Sequence, residues 1–176
     1  MTDVSLPRVA LSVRQPWAWA IIHAGKNIEN RGHVAITKGG MSRRRIAIHA
    51  SKGMTRDEYV HAYDFMHSIN VLCPPAGALI RGAIIGSVEV VDIVTRSSSP
   101  WFFGPRGLVL KDPVSCVPVP ASGALGYFEW KEGGAIEPTL KWMQPKTDRS
   151  PDPVAEQVTS DLFQQPANAP ASEDQR

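Results

Sequence analysis

Lys26, Glu29 and Arg31 set two cations around one anion at the end of the stretch LSVRQPWAWAIIHAGKNIENR, residues 11–31. This grouping can do one of two things. The cations can meet a phosphate or a base carbonyl while Glu29 holds one of them in place. Alternatively, the three form a structural ion cluster, with the planar Arg31 fork seated on the carboxylate. Trp17 and Trp19 precede the cluster, which implies a polar site held against an apolar wall. A second carboxylate, Glu89, lies inside the run GAIIGSVEVVDIVT, residues 82–95. Burial would raise its pKa and make it a better base, and an adjacent Lys26 would oppose that shift. The run by itself favours a solvent-facing Glu89.

Weaker candidates surround these. Trp17 is either core or a stacking surface for a base. Trp101 follows Ser99-Pro100 and precedes Gly104-Pro105, which puts it in a loop as a stacking candidate or as a lid. Arg14 and Gln15 read a base edge or satisfy backbone groups in a turn. His49, Ser51 and Lys52 end a strand and are candidates to line the cleft. Arg43, Arg44 and Arg45 form a dense basic cluster suited to phosphate, or to a solubilising surface.

The elements that must position these residues follow from periodicity. Arg8 to Val13 reads as a strand. Residues 17–24 read as a short helix that Gly25 closes in the left-handed conformation. Gly32 to Gly40 reads as a loop or hairpin edge, and Arg45 to Ala50 as a strand with Ile46 and Ile48 inward. Thr55-x-x-Glu58 is a capping box that opens a helix to about Ile69, burying Tyr59, Val60, Tyr63 and Met66. Residues 82–95 form the clearest strand, with Gly86 marking a bulge or a bend. Ser87, Glu89 and Val91 share one face, and Val88, Val90 and Asp92 the other. Short strands are expected at 108–110, 116–119 and 126–130. Many short strands, few helices and no βαβ rhythm predict a mixed α/β, mainly β fold: a small barrel with flanking helices. No G-x-G-x-x-G or Walker A motif is present.

The chain has 176 residues and 43% hydrophobic content, enough for one domain with a core. No stretch reads as membrane-spanning, and the N-terminus does not read as a signal peptide. Cys73 and Cys116 are far apart, which favours a reduced, cytoplasmic protein without a zinc site. Residues 1–56 carry a net charge of +8 and residues 144–176 one of −3. The second segment is acidic and proline-rich and is expected to be a disordered tail, with one helical turn conceivable at 158–164.

Several blocks, taken in order, resemble the ASCH domain, the activating-signal-cointegrator homology module of the PUA-like superfamily. They are Leu11-Ser12-Val13-Arg14-Gln15-Pro16-Trp17-Ala18, Gly25-Lys26-x-x-Glu29-x-Arg31, Ile48-His49-Ala50-Ser51-Lys52-Gly53, Gly86-Ser87-Val88-Glu89-Val90, Ser99-Pro100-Trp101-Phe102-Phe103-Gly104 and Gly126-Tyr127-Phe128-Glu129. The resemblance covers roughly residues 8–131. It implies a domain over 8–143 with a five- to six-stranded barrel and two or three helices. It also implies RNA or nucleotide binding, with hydrolysis in some members. One branch of the family cleaves acetylated cytidine with a lysine, a threonine and a glutamate. Lys26 and Glu89 match that set, whereas Glu29 stands where the threonine would be.

The resulting expectation is a binder of RNA or a modified nucleoside, with Lys26, Glu29 and Glu89 as candidate catalytic groups. Arg14, Gln15, Trp17, Arg31, Arg43, Arg44, Arg45, His49, Ser51, Lys52 and Trp101 are the candidate ligand contacts. No cofactor and no metal is expected. The alternatives are a ribonuclease or nucleoside amidohydrolase, and an adaptor that meets a protein partner through the tail.

Overall fold

The computed structural model describes residues 5–144. The expected tail and its helical turn lie outside the described residues. The chain runs β1 (Val9–Val13), α1 (Trp17–His23), β2 (Ile28–Asn30), α2 (His33–Lys38), β3 (Arg44–Ala50), α3 (Arg56–Ser68), β4 (Ala83–Val94), β5 (Gly107–Pro120) and β6 (Tyr127–Glu129). All six strands join one sheet in the order β2-β5-β4-β3-β1-β6. The sheet curls strongly into a half-barrel but does not close. The small barrel expected from the strand pattern is present as an open half-barrel, with β2 and β6 as its end strands.

Strand register decides which residues can share a site. β1 and β3 run parallel, with Leu11 beside Ile48 and Ser12 beside His49. β3 and β4 run antiparallel, with Ile46 opposite Val88 and Arg45 opposite Glu89. Leu11, Val13, Ile46, Ile48, Val88, Val90, Leu108 and Leu110 fill the concave core, and α1 caps it with Ala18, Ile21 and Ile22. Ala10, Ala47, Ile84 and Ala121 form a smaller cluster on the other face.

Local chemistry explains most boundaries. Pro16 at the start of α1 makes no side-chain cap bond, Gln15 takes one first-turn N–H instead, and packing holds the seven-residue helix. Gly25 follows at φ +68, the left-handed value expected of it. The Thr55–Glu58 capping box is formed in both directions. The helix it opens buries Ala62 and Met66, whereas Val60 and Tyr63 are exposed.

Two expectations fail locally. Residues 33–38 form a helix instead of a loop, fixed by burial of Ile36, although Val34, Ile36 and Thr37 are β-branched and weak helix formers. The short strands at 108–110 and 116–119 are one strand, continuous through a positive-φ Asp112. In β4, the register against β5 slips between Ile84 and Gly86, as the glycine implied.

Gly86 has a second reason to lack a side chain. A Cβ there would sit 2.4 Å from the Val114 carbonyl oxygen and 2.8 Å from Ile22 Cδ1 of α1. Gly86→Ala is expected to lower stability by about 1–3 kcal/mol through overpacking. Urea unfolding checks this, and an unchanged midpoint would contradict the close approach.

Candidate functional site

The lysine, glutamate and arginine singled out above come together on β2 and the residues that flank it on either side. Lys26 is 3% exposed and Glu29 7% exposed. Lys26 Nζ donates to Glu29 Oε2 at 2.7 Å and also to the Ile28 carbonyl. Arg31 Nε donates to Glu29 Oε1 at 3.2 Å, and Arg31 Nη2 donates to the Ser12 carbonyl at 2.7 Å. The fork thus bolts the edge strand β2 to β1, which is separated from it in the sheet order by β5, β4 and β3. Burial alone would push the Glu29 carboxyl up. Lys26 and Arg31 outweigh it and hold the carboxyl below its ordinary 4.5.

This triad opens on a recess of about 210 Å³ lined by Trp17, Lys26, Glu29, Asn30 and Phe103. Trp17 enters from α1 and Phe103 from the loop after β4. Their ring centroids are 6.2 Å apart and the planes meet at 67°. Asn30 positions that loop: its Nδ2 donates to the Trp101 carbonyl, and its Oδ1 accepts from Phe103 N–H, both at 2.8 Å. Phe65 of α3 supports Phe103 from behind, with centroids 4.8 Å apart.

The other candidate contacts sort differently. Glu89 does not join the triad. In the β2–β5 pairing Glu29 lies opposite Leu108, on the core-facing side. Glu89 lies between the core residues Val88 and Val90, with Arg45 and Lys111 as its cross-strand neighbours. Strand alternation therefore sends the two carboxylates to opposite faces. Trp101 is 5% exposed and packs against Trp17 and Phe65, so it is a wall of the core and not a free stacking face. The exposed aromatic of that block is Phe103, at 57%. Gln15 is buried and structural: its Nε2 donates to the Ile80 carbonyl, and its Oε1 accepts from Trp19 N–H.

Arg14 pairs with Glu58, and Arg43 with Asp92 at 2.6 Å. Arg45 bonds the Ser87 hydroxyl and the Asp112 carbonyl. Arg44 is exposed. The basic cluster is therefore largely committed to neighbours. His49, Ser51 and Lys52 line a different pocket, of about 500 Å³, together with Ser12 and residues 122–125. Among the described residues, no group of three or more His, Cys, Asp or Glu side chains could hold a metal ion.

Sequence reasoning missed Phe103 and Ser12 as site residues. Phe103 sat in an aromatic block whose inward member could not be told from its outward one. Ser12 faces His49 only through a parallel pairing 37 residues apart.

Comparison of the chain with protein-family models gave no match, and comparison with curated proteins gave none either.

Two outcomes follow from the triad. Lys26→Met leaves a buried carboxylate short of a partner and is expected to cost about 3–5 kcal/mol. Adding Glu29→Gln should recover part of that loss, and thermal unfolding of the three proteins checks it. The stabilisation tied to Glu29 is fully present above its ordinary 4.5 and is lost as pH falls through the lower folded value. Acid unfolding of Glu29→Gln should accordingly be less steep than that of the natural chain.

Proposed function

We propose that this chain is an ASCH-type, PUA-like module that binds a base of RNA or of a modified nucleoside in the recess between Trp17 and Phe103. The observation that carries this reading is the ionised Lys26–Glu29 pair at the floor of a small recess with aromatic walls. An ammonium has three donors, and two of those on Lys26 are engaged by protein oxygens. An ionised carboxylate has about four acceptor sites, of which Glu29 uses a part. One donor beside one acceptor complements a base edge that carries a carbonyl or ring nitrogen next to an N–H. At about 210 Å³ the recess falls below the ~300–1,000 Å³ of whole-ligand pockets, which suits one heterocycle and not a complete nucleotide. Phe103 offers its exposed face for stacking.

Charge argues for base over phosphate at this point. Both buried-side cations are bonded to the same carboxylate, so little free positive charge faces the recess. A lysine used in this way holds structure, and Glu89 is on the other face. The recess is therefore read as a binding site and not as the seat of a Lys26–Glu89 hydrolysis.

Titration of nucleosides and short single-stranded RNA against tryptophan fluorescence tests the proposal. Phe103→Ala is expected to weaken binding by about 1–3 kcal/mol, the range for loss of one stacked base. Its unfolding midpoint should stay close to the natural one, because the ring is more than half exposed. Affinity should fall only shallowly with added salt, since Arg14 and Arg43 are already paired. Equal affinity in the Phe103→Ala protein would overturn the reading.

A further inference from the structure

Ser12 and His49 sit side by side at the carboxyl ends of the parallel strands β1 and β3, on the face away from the main core. His49 is 1% exposed. Its Nε2 lies 3.0 Å from the Ala121 carbonyl, and its Nδ1 lies 3.0 Å from Ser12 Oγ. A carbonyl can only accept, so the ring proton is on Nε2. Nδ1 is then a lone pair, and the Ser12 hydroxyl donates to it. The imidazole is thus fixed in one tautomer by a third group, with a hydroxyl on its free nitrogen. Burial, helped by the charge of Lys52, lowers the His49 pKa from its ordinary 6.5 against the opposing Ala121 bond, which keeps the ring neutral and able to take a proton.

The pair opens into the pocket of about 500 Å³. Ser51 lines it too, and its Oγ is buried without a hydrogen-bond partner among the described residues. Lys52 also lines it, with its ammonium paired to Glu137 at 3.3 Å. The loop at 122–125 comes down on the pair at Gly123, where a Cβ would lie 2.5 Å from Ser12 Oγ and 2.6 Å from His49 Cε1. Only a glycine lets that loop approach so closely.

We infer that Ser12 and His49 form a nucleophile–base pair for acyl transfer from small esters, in a pocket separate from the base recess. Ser12 Oγ attacks the ester carbonyl while its proton passes to His49 Nδ1. The tetrahedral intermediate collapses with cleavage of the carbonyl–alkoxy bond, and His49 returns the proton to the departing alcohol. Water then attacks the acyl-serine, with its proton going to His49 and on to Ser12 Oγ as the acid leaves. Ser51 Oγ, which has no partner among the described residues, is the donor available to the intermediate's oxyanion, and Lys52, already paired with Glu137 at 3.3 Å, is not required for it. The inference does not depend on base binding at Trp17 and Phe103, so either can fail alone.

The test is covalent. The full chain is incubated with a fluorophosphonate probe and, separately, with 4-nitrophenyl acetate, and adducts are mapped by peptide mass. The expected result is one adduct on Ser12 and a burst of nitrophenol, both absent in Ser12→Ala and reduced at least tenfold in His49→Gln. Ser12→Ala removes a single hydroxyl from a half-buried site, so it keeps the test open if His49→Gln fails to fold. No adduct on the natural chain, or an adduct that survives Ser12→Ala, would overturn the inference.

Discussion

A buried carboxylate shared by two cations holds the β2 end of this sheet together. β2 is three residues long and touches the sheet only through β5. Such a strand has too few ladder hydrogen bonds to fix its own place. Glu29 supplies the missing constraint, because Lys26 ties it to the preceding turn and Arg31 carries the connection on to the Ser12 carbonyl of β1. Asn30, next along the strand, fixes the loop that presents Phe103. The recess thus depends on an ion cluster that encloses it, and the charges that look ready for a ligand are mostly used in shaping the space for one.

Much of this frame was legible from residue types. The capping box, the left-handed Gly25, the long valine-rich strand and the register slip at Gly86 each rest on a local rule, and each appears where that rule puts it. The Arg31 fork on Glu29 also followed from local spacing. Features set by distant partners were not legible. Residues 33–38 are helical because one isoleucine is buried beneath them, and nothing in their own preferences says so. Trp101 and Phe103 are near-identical as sequence, yet Phe65 and Asn30 send one in and leave the other out.

Glu89 shows the same limit at the candidate site. Alternation along β4 correctly separates it from Val88 and Val90. Which of the two faces meets Lys26 depends on β2 pairing with β5, and that pairing joins segments about eighty residues apart. The resemblance to a hydrolytic family placed lysine and glutamate together, whereas the register of the sheet places them apart. Ser12 and His49 are the converse case: the only sign of their meeting is a parallel pairing that no short-range pattern reveals.

The unclosed sheet has a consequence for how this chain behaves among its copies. A curled sheet that stops short of closure keeps two rims, and bare rims recruit strands from neighbours. Here the end strands β2 and β6 are only three residues long, and β5 runs on past β2 to Pro120. That uncovered stretch carries the charges of Lys111 and Asp112 and the prolines Pro113, Pro118 and Pro120, which have no N–H to donate. Short ends and a proline-broken border thus protect against fibrillar stacking, which a closed barrel would prevent by having no border at all.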